Sequence, residues 1–547
     1  MKLKKVIAFI IAMMCALTLF GCSGKEQGFI HVEGDKIVDG NGNEVWLKGI
    51  ACGNGVWDNP TEPVWTSQDE SSYEDMADMG FNCVRFYLNY QLFEDDSNPY
   101  VYKDAGFELI DKNIKWAKKN GIGLILNMHV PQGGYQSQGN GGNLWSDDEN
   151  QSRLIALWSE IAKRYANNPN VIGYGILNEP VVPDVGSVED SVDQCRDLMQ
   201  RITDGIRQYD TNHIIFAERV CAVQDANGHS DWNIEIGKLQ FLLDDDNTAY
   251  EFHSYDPHSF THQNMDWAGT LGSTMFYPSD DIIVTSYIDN WVDCSSAKKV
   301  MELEDGWALW ETSFVSLSDK YNVGAITFRA ANLGKDGAAY IDDVVLEEYK
   351  DGEMTNVLRE LDFTSSVALD FWSSDNSGKG QKTQKGYDGY GYTISGTTGD
   401  ANSAGYRFEL KEGYEYKLSA KIKTENAASG AKVMPRIDLS LASGVMSLNS
   451  EYLETVLLQN LKFGTDNNVP MYLGEFGAAR TAWENYRGGD RWVSDMIDLL
   501  EKYGLHFTYH AYHEGAFGLY GNSANELPAQ RNDELAEIFK AKLNSPK

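Results

Sequence analysis

The chain is poor in positive charge. Of its 547 residues, 46 are Lys or Arg and 81 are Asp or Glu, which gives a formal net charge of −35. Such a surface repels polyanions, so the composition excludes nucleic acid as a partner and excludes binding to an anionic membrane through basic patches. The hydrophobic share of 42% is ordinary for globular proteins and excludes a chain that is disordered throughout. A neutral or cationic partner fits this composition.

Cysteine is scarce and lacks a recognisable pattern. The seven cysteines form no C-x-x-C pair and have no spacing typical of metal ligands. Five of them lie beyond the N-terminal segment described next, at positions 52, 83, 195, 221 and 294. An odd number of widely spaced cysteines predicts no disulfide framework. No motif in the chain requires a metal or an organic cofactor.

Only one long apolar run is present, at the N-terminus. Three lysines precede an apolar stretch from Val6 to Leu19, which is shorter than the roughly 20 residues of a membrane-spanning helix. The run ends in Leu19-Phe20-Gly21-Cys22, which resembles the lipobox of bacterial lipoproteins. The resemblance implies a signal peptide over 1–21 and a lipid on Cys22 that holds the mature protein at the extracellular cell surface. An ordinary secretory signal is the alternative.

Eight short apolar runs alternate with amphipathic helical patterns along the rest of the chain. Runs that are nearly continuous in apolar residues are typical of parallel strands buried on both faces. The alternation predicts the α/β class and a closed (β/α)₈ TIM barrel. The predicted strands are Val45–Ile50, Phe81–Tyr87, Ile122–Met128, Val171–Leu177, His213–Glu218, Ala249–Ser254, Met471–Glu475 and His506–Tyr512. The predicted helices are Asp104–Asn120, Gln151–Asn167, Asp190–Tyr209, Glu451–Phe463 and Arg491–Tyr503.

The connection between strands six and seven has a different character. Alternating apolar and polar runs at 325–330, 339–346, 406–410 and 414–422 are separated by turn residues. Short strands at this spacing predict an inserted antiparallel β-sandwich. We therefore expect a signal peptide over 1–21, a first barrel part over 22–274, the inserted sandwich over 275–447 and a second barrel part over 448–547.

The predicted strands end in polar residues, and catalytic groups of such barrels cluster at these carboxyl ends. The residues are Arg85 on strand two, His129 on strand three, Asn178 and Glu179 on strand four, His253 and Tyr255 on strand six, and Glu475 on strand seven. Two carboxylates facing each other across the barrel mouth suit glycoside hydrolysis. One protonates the leaving oxygen while the other attacks the anomeric carbon.

Five segments resemble glycoside hydrolase family 5 of the cellulase superfamily, over about 30–270 and 450–545. They are D-G-N-G at 39–42 with W-L-K-G at 46–49, G-F-N-C-V-R-F at 80–86, N-E-P at 178–180, H-S-Y at 253–255 and G-E-F-G at 474–477. The resemblance implies a retaining mechanism, with Glu179 as general acid/base and Glu475 as nucleophile. It also implies that Asn178 binds the sugar 2-hydroxyl, and that Arg85, His129, His253 and Tyr255 line the pocket.

Strand eight departs from this family. The family usually places a Trp there beneath the sugar, whereas this chain reads H-F-T-Y-H-A-Y-H at 506–513, with His510 at the expected position and Tyr512 nearby. A lost indole removes stacking area against the sugar, so the substrate stays open. β-1,4-Glucan is the first choice, with β-mannan and xyloglucan as alternatives. Three loop tryptophans, for which sugar stacking and simple packing stand as equal alternatives, are Trp57, Trp145 and Trp267.

The predicted sandwich resembles carbohydrate-binding modules of the jelly-roll type, most clearly at 339–346. Candidate sugar-stacking rings are Trp307, Trp310, Tyr340, Trp372, Tyr387, Tyr390 and Tyr392. Asp342 and Asp343 are conceivable calcium ligands, although no spacing compels this. Glycan binding by the sandwich and a purely structural role stand as equal alternatives.

We therefore expect a monomeric hydrolase of a β-linked polysaccharide or oligosaccharide, attached to the membrane only through Cys22. Two rival functions remain open. A non-catalytic glycan-capture lipoprotein would bind sugar without cutting it. A transglycosylase would share the covalent intermediate but pass the glycosyl group to another sugar.

Overall fold

The computed structural model describes residues 28–57, 60–137, 141–265, 267–268, 270, 275–364 and 369–544. The predicted signal peptide and Cys22 lie outside these ranges, so both stay predictions. Within the ranges, no helix has the length and apolarity needed to cross a membrane.

Two compact units make up the described chain. The barrel unit comprises the residues up to Ser254, Leu458–Phe476 and the residues from Leu500 onward. The sandwich unit comprises Tyr255–Leu457 and Gly477–Leu499. The predicted four-part division of the sequence stays a prediction.

The barrel unit contains a closed barrel of eight parallel strands, which confirms the predicted fold class. Its strands are Lys48–Cys52, Cys83–Asn89, Gly123–Val130, Val171–Gly175, Ile214–Glu218, Thr248–His253, Met471–Phe476 and His506–Tyr509. We call them barrel strands one to eight. Each strand pairs with the next along the chain, and Thr508 of strand eight lies opposite Gly49 of strand one. Strands six and seven also pair directly, with Tyr250 opposite Met471, despite the long connection between them.

Strands one and two begin three and two residues later than the sequence pattern predicts, because flanking residues hydrogen bond elsewhere. The N–H of Val45 donates to the carbonyl of Ile37 at 2.9 Å, which ties it to the preceding hairpin of His31–Glu33 and Lys36–Val38. The N–H of Phe81 donates to the carbonyl of Met76 at 3.1 Å and closes the end of a helix. Apolar character alone does not distinguish such flanking residues from strand residues.

Helices alternate with most of the barrel strands along the chain. The helices of the described chain are Glu70–Asp78, Asp104–Lys119, Gly142–Ser146, Asp148–Tyr165, Val188–Arg207, His258–Thr261, Ser450–Asn467, Gly489–Tyr503 and Asp533–Leu543. The fourth begins three residues before the predicted start because the Asp147 side chain accepts the N–H of Glu149 and caps it. Three short strands, Val181–Pro183, Ala222–Gln224 and Ser230–Asp231, form a separate small sheet.

The sandwich unit contains two antiparallel sheets. One has five strands, Ser279–Cys294, Val323–Ala331, Asp370–Ser373, Ala401–Glu409 and Lys432–Leu448. The other has eight, Ala297–Glu302, Ala308–Thr312, Val315–Ser316, Ala338–Lys350, Glu353–Leu361, Lys379–Thr383, Gly391–Ser395 and Tyr414–Glu425. Side chains of both, including Phe328 from the first and Ile341 and Leu418 from the second, share one buried core. The sheets therefore pack face to face as a sandwich.

The five cysteines within the described chain are free thiols. Cys52, Cys83 and Cys195 are buried, and burial raises the pKa of each of these thiols. Cys83 packs in the apolar core of the barrel.

We predict that Gly49→Ala destabilises the barrel by about 1–3 kcal/mol, because a small-to-large change overpacks the contact between strands one and eight. A Cβ atom on Gly49 would lie 2.8 Å from the carbonyl oxygen of Phe507 and 2.5 Å from Thr508 Oγ1. Urea unfolding measures the loss. Gly237→Ala is the control, since a Cβ there meets no atom of the described residues within 4 Å. Equal stabilities of the two variants would contradict this packing.

Candidate active site

Ionisable side chains meet at the carboxyl ends of the barrel strands. Arg85 Nη1 donates to Glu475 Oε1 at 2.7 Å, and Nη2 donates to Asn178 Oδ1 at 2.9 Å. His253 Nδ1 lies 3.0 Å from Glu179 Oε1. The structure therefore brings together five of the predicted site residues, which come from strands two, six and seven and from the segment that follows strand four.

Glu475 is surrounded by hydrogen-bond donors and positive charge. Tyr87 donates its hydroxyl hydrogen to Glu475 Oε1 at 2.6 Å, on the same oxygen that Arg85 contacts. Burial acts to raise the pKa of Glu475, but the charges on His253, His510 and Arg85 outweigh it and hold the pKa well below its ordinary value. Glu475 is therefore a carboxylate near neutral pH.

Glu179 occupies a different environment from Glu475. Its side chain is partly exposed, and its backbone has a left-handed φ of 43°. Its N–H donates to Glu218 Oε2 at 2.7 Å. One carboxylate oxygen of Glu179 and one of Glu475 lie within 4.8 Å of each other. This proximity is compatible with the roughly 5–5.5 Å between carboxyl groups that retaining glycosidases need.

Arg85 is fully buried and contacts two carboxylates. Besides Glu475, it pairs with Glu251 Oε1 at 2.8 Å. The cost of removing a guanidinium from water is large and must be offset by such pairing and hydrogen bonding. Burial acts to lower the pKa of Arg85, but the negative charges of Glu251 and Glu475 outweigh it and raise this pKa above its ordinary value.

Asn178 and His129 complete the polar lining. Asn178 Nδ2 is buried and has no hydrogen-bond acceptor among the described residues. It is thus available to a hydroxyl group of a ligand. The His129 ring stacks on Tyr87 at 3.9 Å between centroids, and burial lowers the pKa of His129 well below its ordinary value.

The carboxyl end of strand eight is occupied by His510. Its Nδ1 lies 2.9 Å from the Tyr87 hydroxyl and 3.9 Å from Glu475 Oε2. The nearby alternative, Tyr512, is wrong as a sugar platform, because its ring is buried and its hydroxyl donates to Asp75 at 3.3 Å. The expectation that His510 lies beneath a sugar stays a prediction.

The loop tryptophans differ in exposure. Trp57 is 38% exposed and meets the edge of His129 at 5.1 Å, whereas Trp145 is buried and donates to Gln136. The hydrogen bond to Gln136 favours packing, one of the two alternatives left open for Trp145. Trp267 lies exposed in the sandwich unit.

Tyr255 is the first residue of the sandwich unit, and its ring packs edge-on against His262 at 5.0 Å. Its predicted place in the substrate pocket stays a prediction.

Sequence reasoning missed Tyr87, Glu218 and Glu251. Tyr87 follows Arg85 by two residues and Glu251 precedes His253 by two, so each shares a strand face with a predicted residue. Glu218 is the last residue of strand five. Period-two spacing and strand-end position are the signals that would have found them.

His253 links these additional carboxylates to the predicted pair. Its Nδ1 is 3.5 Å from Glu218 Oε1, and its Nε2 is 3.4 Å from Glu251 Oε1. Burial acts to lower the pKa of His253, but the charges of Glu218 and Glu475 raise it well above its ordinary value. Burial raises the pKa of Glu218 to about 8.

Within the described ranges, two groups of three side chains offer metal-ligand atoms within 4.8 Å of one another, and both include His253. The groups are Glu179, His253 and Glu475, and Glu218, Glu251 and His253. In the described structure the same side chains contact one another, with His253 Nδ1 at 3.0 Å from Glu179 and His253 Nε2 at 3.4 Å from Glu251.

The first half of the chain matches a known protein family. Residues 38–307 match the model of the family Cellulase (glycosyl hydrolase family 5). This match and the relatives support the family that the motifs indicate.

The chain is 30% identical over 226 residues to endoglucanase C of Acetivibrio thermocellus, covering 40% of this chain and 61% of that protein. It is 28% identical over 272 residues to a β-xylosidase of Phanerodontia chrysosporium, covering 43% and 53%. The chain thus spans less than two thirds of either relative. A structure of endoglucanase Cel5A from Thermotoga maritima superposes with a TM-score of 0.45 at 16% identity, over 90% of this chain and 97% of that one.

We predict that Glu475→Gln destabilises the protein by about 3–5 kcal/mol at neutral pH, because Arg85 then keeps a buried charge with one carboxylate partner fewer. The folded pKa of Glu475 is depressed, so its ionisation stabilises the fold above the unfolded pKa of about 4.3. That contribution is lost as the pH falls toward the folded pKa, and the stability difference from the unmodified protein shrinks there. Urea unfolding across pH measures it, with the exposed Glu537→Gln as control. A difference that stays constant on acidification would contradict the assignment.

Proposed function

We propose that the chain is a glycoside hydrolase of family 5 that cleaves β-linked polysaccharide with net retention. The observation that carries the proposal is the approach of Glu179 and Glu475 within 4.8 Å, in unequal environments. Glu475 is held ionised by Arg85 and Tyr87, whereas Glu179 is partly exposed beside His253. Unequal carboxylates at this separation suit a nucleophile and an acid/base.

In this mechanism Glu475 attacks the anomeric carbon while Glu179 protonates the leaving oxygen. Arg85 and Tyr87 both bind Oε1 of Glu475, and Oε2 lies 3.7 Å from His253 and 3.9 Å from His510. We assign the attack to Oε2, since Oε1 holds the hydrogen bonds from Arg85 and Tyr87. Water then resolves the glycosyl–enzyme intermediate, with Glu179 acting as base. Arg85, Tyr87 and His253 position the two carboxylates, and Asn178 Nδ2 is poised to bind the sugar 2-hydroxyl.

β-1,4-Glucan is the substrate that we propose. Support comes from relatives that are named endoglucanases. The aligned segment covers only part of each of these relatives. Mannan and xyloglucan remain alternatives, because the same catalytic set serves several β-linked backbones and specificity resides in loops.

We also propose that the mature protein is a monomer attached to the outer cell surface through a lipid on Cys22. The support is the sequence pattern that ends at 19–22.

We further propose that the sandwich unit binds glycan in a cleft of about 530 Å³. Three of the candidate rings line it, namely Trp307, Tyr340 and Tyr387, together with charged groups that include Lys423 and Glu425. Rings and paired charges are the groups that contact the faces and hydroxyls of sugars.

The other candidate rings have different surroundings. Trp310 and Tyr392 pack against the sandwich core, while Trp372 and Tyr390 are exposed. The Asp342 carboxylate accepts the N–H of Tyr387 at 2.7 Å, and Asp343 pairs with Lys421 at 2.6 Å. These contacts favour a role for both aspartates in ordering the cleft loop over the calcium site considered above.

We predict that Glu475→Ala lowers hydrolysis of β-1,4-glucan by at least about 10³-fold, because no other group forms the intermediate. Reducing-sugar release from glucan, mannan and xyloglucan measures activity and substrate together, and NMR of the first-formed anomer tests retention. Full activity of the variant would overturn the nucleophile assignment. An unmodified protein that binds but cuts nothing would instead indicate a glycan-capture protein, and longer products with excess acceptor sugar would indicate a transglycosylase.

We predict that Tyr387→Ala and Lys423→Ala each weaken glucan binding about tenfold, because each removes a group lining the cleft. Affinity electrophoresis in soluble β-glucan measures this, with Glu475→Ala included so that the glucan is not cut. Tyr390→Ala is the matched control, since this exposed ring does not line the cleft. Unchanged migration of Tyr387→Ala would refute glycan binding there.

A further inference from the structure

Glu218 is a buried carboxylate to which the mechanism above assigns no role. It ends barrel strand five, and its side chain is 1% exposed. Its Oε2 accepts the backbone N–H of Glu179 at 2.7 Å. Its Oε1 lies 3.4 Å from Cys221 Sγ and 3.5 Å from His253 Nδ1. One buried carboxyl thus contacts both the backbone and the side-chain partner of the proposed acid/base.

The backbone that Glu218 holds is strained. Glu179 has a φ of 43°, in the left-handed region that residues with a Cβ rarely adopt. Such a conformation persists only where the surroundings fix it. The short bond from the Glu179 N–H to Glu218 is one such constraint. Because φ sets the direction of the side chain, this bond also sets where the Glu179 carboxyl points.

His253 Nδ1 forms a hydrogen bond with Glu179, and oxygens of Glu218 and Glu475 lie slightly farther away, the latter at 3.7 Å. Glu179 Oε1 is 3.0 Å away and Glu218 Oε1 is 3.5 Å away. A single N–H forms one well-aligned hydrogen bond, so the two carboxyls compete for it. The other ring nitrogen faces Glu251, which also pairs with Arg85 at 2.8 Å. The His253 ring is therefore held at Nε2 by Glu251, while Nδ1 faces the carboxyls of both Glu179 and Glu218.

We propose that Glu218 is a positioning residue for Glu179. It fixes the strained backbone, and it gives the His253 Nδ1–H an acceptor while Glu179 is protonated. After Glu179 has given its proton to the leaving oxygen, the N–H returns to the new carboxylate and stabilises it. A carboxyl oxygen of Glu218 remains an acceptor in either protonation state. The inference rests on the proposed acid/base role of Glu179.

The first test compares two substrates that differ in their need for a proton. The sugar released from a cello-oligosaccharide would leave as an unstable alkoxide unless an acid protonates it. Dinitrophenyl β-cellobioside releases a stable phenolate and needs no acid. If Glu218 acts through Glu179, Glu218→Gln lowers kcat/KM about 10- to 10²-fold on the oligosaccharide and less than about threefold on the aryl glycoside. An equal loss on both substrates, or no loss on either, overturns the inference.

Glu94→Gln is the matched control. Glu94 is also fully buried in the barrel unit, and its partners are Arg153 and Gln132. We expect this variant to lose stability without separating the two substrates. Should Glu218→Gln fail to fold, Glu218→Asp keeps the charge, retracts the carboxyl from the Glu179 N–H and is expected to give the same separation.

A second test does not depend on activity. Hydrogen exchange of the Glu179 amide reports the bond to Glu218 directly. We expect exchange to accelerate about tenfold or more in Glu218→Ala and to stay unchanged in Glu94→Gln. An unmodified protein that hydrolyses neither substrate refutes the proposed function, whereas an unchanged Glu179 amide in Glu218→Ala refutes the positioning role.

Discussion

A guanidinium without solvent contact couples the strands that carry the site. Arg85 binds Glu475 and Glu251 at 2.7 and 2.8 Å and also Asn178 at 2.9 Å, so strands two, six and seven and the segment after strand four meet at one cation. Removing one partner of such a buried group costs far more than a surface ion pair is worth. The same interaction that keeps Glu475 ionised therefore also holds the barrel mouth in register.

The carboxylates around this cation divide into different tasks because their surroundings differ. Glu475 receives two strong hydrogen bonds on one oxygen, and its pKa falls. Glu218 faces His253, but burial and the neighbouring carboxylates dominate, and its pKa rises. Environment rather than residue type thus separates groups that are chemically identical in the sequence.

The barrel could be predicted because buried parallel strands leave long apolar runs, and the site because polar residues interrupt those runs at their carboxyl ends. The strand boundaries near Val45 and Phe81 could not be predicted, since backbone hydrogen bonds rather than side chains decide where these strands begin. Tyr87 and Glu251 were missed because an isolated Tyr or Glu inside a strand shows no partner. Their partners, Glu475 and Arg85, lie on other strands. The exposure of each tryptophan likewise depends on loop packing that composition does not encode.

The reactivity of the buried thiols described above reports how often the barrel opens locally. Only a thiolate reacts readily, and burial both raises the pKa of Cys52, Cys83 and Cys195 and bars reagents from them. Cys52 and Cys83 lie on barrel strands one and two, so a reagent reaches their sulfurs only when these strands open. The rate at which Cys52 and Cys83 are alkylated therefore measures how often the closed ring of strands opens.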